Sequence, residues 1–176
     1  MKFSRSTLSL LICVSLLQGF ALSQDVLPLP HHDSSRRGYY IYLENEGRLV
    51  PVTIKMPWEE FDEEKIKSVL ESLIAGEHEY TRTVPKNTKV KRIFIDATLI
   101  VYIDFSGEIV KEHPGGVWTE TLTVASICRT VFSNFEVRSV KILVEGKEIE
   151  TIAGHIDLKR PISRETVSTW LKEIPE

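Results

Sequence analysis

The 176-residue chain carries a formal net charge of −3, with 42% hydrophobic and 27% charged residues. That balance suits one folded domain of ordinary size and excludes a disordered chain or a multi-span membrane protein. No basic stripe interleaved with aromatics runs through the sequence, which excludes nucleic acid as a partner.

The opening stretch, "MKFSRSTLSLLICVSLLQGFALSQ", sets Lys2 and Arg5 ahead of an apolar run from Leu8 to Leu17, then the small residues Ala21 and Ser23. This pattern predicts a signal peptide over residues 1–23, cut after Ser23. The run is shorter than the roughly 20 apolar residues a membrane-spanning helix needs, so an uncleaved signal segment is the one route to a membrane. Cys13 follows the bulky Ile12 inside the run, whereas a lipoprotein cysteine follows a small residue at its end. Cleavage would leave Cys128 without a disulfide partner and would take two positive charges, Lys2 and Arg5, from the net −3.

Residues 24–38, "QDVLPLPHHDSSRRG", mix prolines, histidines, serines and charge without apolar periodicity and read as a flexible spacer. His31 and His32 are two potential metal ligands with no preformed site around them, and no metal or cofactor is expected.

The folded domain is expected over residues 39–176. Tyr39 to Leu43 and Leu49 to Ile54 flank the turn-rich Glu44 to Gly47, a hairpin signal. Asp62 then caps a helix with Glu63 and Glu64 in its first turn. Its apolar stripe is Ile66, Val69, Leu70, Leu73 and Ile74, and Gly76 lies just past its end. Val90 to Ile95 and Leu99 to Phe105, around Asp96-Ala97, predict a second hairpin, and Leu99 to Ile103 is apolar on both faces, as in a central strand. The loop "GEIVKEHPGG" leads to a helix with Thr119 as its cap. Val124, Ile127, Cys128, Val131 and Phe135 fall on one face, and the many β-branched residues require burial to hold it. A third hairpin follows, Val140 to Val144 and Glu148 to Ile152 around Glu145-Gly146-Lys147. Ser163 then caps a closing helix with Val167, Trp170 and Leu171 on one face. The order ββ-α-ββ-α-ββ-α predicts an α+β, two-layer sandwich, with a largely antiparallel sheet of hairpins and helices on one face.

Three segments resemble the GerMN domain family of sporulation and germination proteins: "VPKNTKVKRIFID", "LIVYIDFSGEI" followed by "ETLTVASICRTV", and "VKILVEGKEIETIAGHIDLKRPI". "SVLESLIAGEH" is similar to the segment that precedes them, so the likeness spans Tyr39 to Ile162. The resemblance implies an exported, envelope-located α+β module, related to the ring-building modules of secretion and sporulation complexes, with no established enzymatic activity. The founding type has two such domains and a lipid-attachment cysteine, whereas this chain offers one domain and no lipobox.

Two readings compete for the polar residues. Asp104, Ser106, His155 and Asp157 could supply the base and orienter of a wall-modifying hydrolase, with Asp104 and His155 as the working pair. No G-x-S-x-G or H-E-x-x-H pattern accompanies them, and His155 with Asp157 lacks a third metal ligand. The alternative is structural: Gly154 takes a positive φ, His155 bonds a neighbouring backbone group or Asp104, and Pro161 fixes the exit toward the last helix. Glu120 is read as a helix-dipole partner or a recognition carboxylate. Trp58 in "MPWEEF" and Trp118 in "PGGVW" sit on expected loops, where aromatics anchor partners or plug the edge of a core. Cys128 reads as a buried, inert thiol. The expected function is a non-enzymatic module of the cell envelope that binds another protein or its own copies, with peptidoglycan as a further possible ligand.

Overall fold

Alternating side chains pair β1 (Tyr39–Asn45) with β2 (Arg48–Ile54), antiparallel from Tyr39 opposite Ile54 to Asn45 opposite Arg48. The two-residue loop Glu46-Gly47 has φ of 52° and 79°, the type I′ geometry whose twist matches the flanking strands. This computed structural model describes residues 38–56 and 62–172. The signal segment, the spacer up to Arg37, and Trp58 lie outside the described residues.

The first hairpin is a two-stranded sheet of its own, separate from the main sheet. Its outward edge is met by side chains of α3 (Val117–Asn134). Tyr42 N donates to Thr130 Oγ1 at 3.1 Å, Tyr40 N donates to Asn134 Oδ1 at 2.8 Å, and Asn134 Nδ2 donates back to Tyr40 O at 2.6 Å. Glu44 exchanges backbone bonds with Thr81. An edge that would otherwise recruit another strand is thus closed from within. Asn134→Ala is therefore expected to cost about 1–2 kcal/mol. Amide exchange at Tyr40 should accelerate while exchange in the main sheet is unchanged; protection at Tyr40 equal to wild type would show that the bridge holds nothing.

The main sheet runs β3 (Val90–Ile95), β4 (Ile100–Phe105), β5 (Ser139–Val144), β6 (Lys147–Glu148), with β7 (Ile162–Ser163) also on β5. The β3–β4, β5–β6 and β5–β7 pairs are antiparallel, but β4 and β5 are parallel. A parallel pair needs a crossover, supplied here by the four-residue α2 (Glu108–Lys111), in what was expected to be a loop, and by α3. The return strand expected to reach Ile152 stops at Glu148.

Val101, Ile103 and Phe105 of β4 and Val140, Ile142 and Val144 of β5 face inward and are buried. They share one apolar cluster with Ile41 and Leu43 of β1 and with the helices. In α1 (Asp62–Ala75) the predicted stripe Ile66, Val69, Leu70, Leu73 and Ile74 is buried. Asp62 stands within the first turn rather than ahead of it, and Gly76 follows the helix at φ 69°. The helix α3 is buried nearly all round, including Thr123, Ser126 and Thr130, so contacts on every side hold a sequence of weak intrinsic propensity. It begins at Val117, two residues before the expected cap, because Gly116 at φ 88°, ψ 144° turns the chain into it. Ser163 caps α4 (Arg164–Lys172) as expected, accepting from Thr166 N at 3.2 Å.

The outer face of the sheet differs from expectation. Phe94 is 60% exposed, Ile100 and Tyr102 are half-buried, and Leu99, expected to open β4, instead lies in the preceding turn at φ 62° and is 51% exposed. The apolar run of β4 therefore has one covered side and one open side. No helix among the described residues is long and apolar enough to cross a membrane.

Candidate functional site

Beyond β6 the chain leaves the sheet, and its backbone donors need acceptors elsewhere. One side chain supplies three of them. Glu120, in the first turn of α3, is fully buried. Its Oε1 accepts from Ile152 N at 2.8 Å and Ala153 N at 2.9 Å, and its Oε2 accepts from His155 N at 2.8 Å. His155 Nδ1 lies 3.1 Å from the same Oε2. Gly154, at φ 97°, curls the chain so that neighbouring N–H groups converge on one point, the geometry of a backbone anion nest. The anion in this nest is the protein's own.

Burial pushes the Glu120 carboxyl up, but the N–H groups of Ala153, His155 and Ile152 together with the His155 ring outweigh it and hold the group below its usual value. Glu120 stands in the first turn of α3, as the dipole reading required, but its observed partners are the backbone donors of residues 152–155. As a recognition carboxylate it is not available, because every oxygen is turned inward and engaged.

Asp104 and His155 are not joined to one another. Asp104, only 4% exposed at its side chain, accepts from Gly146 N at 2.6 Å and pairs with Arg92 Nη2 at 3.1 Å. It locks the type I′ turn Glu145-Gly146, whose φ values are 53° and 73°. Glu145 reaches back in the same way: its Oε1 accepts from Gly107 N at 2.8 Å and its Oε2 pairs with Lys91. Ser106 Oγ accepts from Lys89 N at 3.0 Å and Ser106 N donates to Lys89 O, which fixes the entry to β3 against the start of the crossover. Asp157 Oδ1 accepts from Lys159 N at 2.9 Å, a local turn at the surface. The four residues proposed for a hydrolytic site thus serve four separate turns and junctions. Among the described residues, no three His, Cys, Asp or Glu side chains gather to hold a metal ion.

Trp118 lies in the first turn of α3, not on a loop, and is 36% exposed beside Val117 at 59%. Cys128 is fully buried, and burial pushes its thiol well up, as an inert core cysteine requires. Sequence reasoning passed over Lys141, 3% exposed, whose Nζ donates to Leu158 O at 3.1 Å and Lys159 O at 2.6 Å. A lysine inside the apolar strand "SVKILV" was its signal. It also passed over the tilted stack of Phe94 on Tyr102, ring centres 5.9 Å apart, on the open sheet face.

The family profile described as Germane, sporulation and spore germination, matches residues 39–150; Gly154, His155 and Asp157 lie past the end of that match. Among solved structures, the chain is similar to the first GerMN domain of the sporulation protein GerM from Bacillus subtilis, at 22% identity and TM-score 0.62, over 73% of this chain and 98% of that one. The tandem GerMN domains of the same protein match at 20% identity and TM-score 0.61, covering 73% of this chain and 46% of the tandem. A protein of Clostridium perfringens described as a candidate lipoprotein matches at 20% identity and TM-score 0.57, over 76% of this chain and 89% of that one. No curated protein matches the sequence significantly.

Proposed function

The chain belongs to the Germane family of sporulation and spore germination domains, and on that premise we propose that it is an exported module of the cell envelope that binds a protein partner or its own copies. The observation that carries this reading is the uncovered outer face of the main sheet, where Phe94 stands more than half exposed with Tyr102 stacked on it, and where Leu99 in the adjoining β3–β4 turn is also more than half exposed. Large apolar side chains left in water on a sheet face are what a binding surface looks like before its partner arrives. Val117 and Trp118 add a second apolar point at the start of α3.

The polar residues support the same reading from the other side. Glu120, His155, Asp104 and Ser106 are spent on internal bonds, and the family has no established enzymatic activity. Export is supported by the pattern of residues 1–23 and by the likeness to a candidate lipoprotein. In a spore-forming host the module would serve sporulation or germination.

The test is site-specific photocrosslinking in cells, with the crosslinker at Phe94 or Trp118, followed by identification of what is joined. A recurrent protein, or a second copy of the chain, is expected at one of these positions. Trp118→Ala is expected to lower the affinity for that partner about tenfold, as truncating an aromatic anchor does, with thermal melting unchanged. A folded Trp118→Ala with wild-type capture would remove that residue from the surface, and no recurrent adduct at either position would overturn the assembly reading.

A further inference from the structure

A groove between α3 and α4 has a chemistry that the assembly reading does not use. It is a cleft of about 360 Å³ lined by Arg129, Arg164 and Lys172, with Phe132 and Leu171 in its walls and the hydroxyls of Ser133 and Ser168 at its sides. A hollow of about 560 Å³ shares Phe132, Ser133 and Arg164 with it and continues toward Tyr40 and Tyr42 of β1. The chain as a whole is acidic, at −3, yet among the described residues no carboxylate lines the cleft, and the hollow adds only Glu136.

Both guanidinium groups are held in place before any ligand arrives. Arg129 lies over the Tyr42 ring at 4.4 Å and Arg164 over the Phe132 ring at 4.9 Å. Tyr42 is itself tethered, its hydroxyl accepting from Ser133 Oγ at 3.0 Å. Stacking fixes the plane of a guanidinium and leaves its N–H edges free to donate. Arg164 uses one donor on Phe135 O at 3.3 Å, just past the end of α3. Among the described residues, half-buried Arg129 has no hydrogen-bond acceptor or ion-pair partner, and neither Arg164 nor Lys172 has a carboxylate within ion-pair distance.

Two braced forks, an ammonium and the Ser168 hydroxyl form a set of donors awaiting acceptors, while the Ser133 hydroxyl is spent on Tyr42. A single carboxylate would satisfy one fork. A phosphate group, with oxygens pointing in several directions and up to two negative charges, matches the whole set. We propose that this groove is a binding site for a phosphate-bearing ligand, seated between Arg129 and Arg164 with the connected hollow receiving the rest of the molecule. The phosphate could belong to a phosphodiester polymer or to a free phosphate compound.

The test is calorimetric titration of the protein with three probes: an oligomer of glycerol phosphate, inorganic phosphate, and an oligoglutamate of matched charge. Saturable binding of a phosphate probe is expected, weakened at least about tenfold in Arg129→Gln/Arg164→Gln, in line with the loss of two charge-assisted contacts. Ser168→Asp, an exposed change that puts a carboxylate in the groove without touching either stack, should weaken binding similarly while the protein melts as wild type does. Binding of the oligomer far above inorganic phosphate would support the proposal with a polymer as the source; equal binding per phosphate would support it with a free compound. The proposal fails if no phosphate probe binds, if both variants bind as wild type does, or if oligoglutamate binds as tightly, which would make the groove a site for acidic peptides.

Discussion

Glu120→Ala is expected to destabilise the fold by about 4 kcal/mol. The change strands three inward-facing backbone donors, Ile152 N, Ala153 N and His155 N, and each unsatisfied buried donor costs about 1–3 kcal/mol. Relaxation of the loop would recover part of that sum by admitting water. In a domain of this size the loss corresponds to a melting point lower by roughly 10 °C. Amide exchange should separate the clamp from general loosening: protection at Ile152, Ala153 and His155 should collapse first, while Val101 and Ile103 keep theirs relative to global stability. Glu120→Gln keeps an acceptor but turns an NH₂ toward backbone N–H groups, so a loss of about half that size is expected. A Glu120→Ala protein that melts within a degree or two of wild type would mean that the loop is held by its buried Ile152, Ile156 and Leu158 alone.

The same site has a pH signature of definite sign. The folded protein holds the Glu120 carboxyl below its ordinary value, since the backbone N–H groups outweigh the opposing effect of burial. The ionised clamp therefore contributes its full stability above the ordinary glutamate value of about 4.3 and loses it as pH falls through the lower folded value. Wild type should lose stability below about pH 4 more steeply than Glu120→Gln does. His113 adds a shallower loss at higher pH. Burial holds its ring below the ordinary histidine value, with Glu120 and the Thr119 backbone pulling the other way. Its Nδ1 accepts from Gly115 N at 3.0 Å and must stay unprotonated to do so. Stability from His113 is complete above about pH 6.5 and falls as the pH drops below it.

What the sequence disclosed was whatever depends on neighbours in the chain. The stripe of α1 follows from spacing alone, and the glycines at 47 and 146 between β-rich runs announce tight turns, which the structure shows with positive φ at both Glu-Gly positions. What stayed hidden depends on partners far along the chain. The Glu120 bonds span 32 to 35 residues, and no periodicity encodes them. Asp104 and His155 looked like a pair because both are polar and both stand beside apolar strands, yet Gly146 and Arg92 claim the first and Glu120 the second. The parallel pairing of β4 with β5 was concealed for the same reason: hairpin signals are local, and the crossover through α3 that brings the two strands side by side is not. Trp118 was misplaced onto a loop because Gly115 and Gly116, at φ 84° and 88°, end the turn one residue before Val117 and let the helix start early.

The second large effect concerns Asp104, where a catalytic and a structural role predict opposite outcomes. Asp104→Ala removes the acceptor of Gly146 N and leaves Arg92, three-quarters exposed, to water. The arginine loses little, because an exposed cation is well solvated; the turn N–H loses its partner, at about 2 kcal/mol. The turn carries Glu145, which bonds Gly107 N and Lys91, so its release also loosens the start of the crossover at Gly107. The expected result is a melting point lower by about 5 °C, with faster exchange at Gly146 and Gly107 and no wall-fragment turnover in either protein. Asp104→Asn should recover much of the stability, since its amide oxygen can still accept from Gly146 N. Turnover of wall fragments by wild type that Asp104→Ala abolishes, with melting unchanged, would reverse the assignment and make the carboxylate a catalytic group. The geometry favours the first outcome, because a carboxylate that already holds a backbone N–H and a guanidinium in a site 4% exposed has no open face on which to meet a substrate.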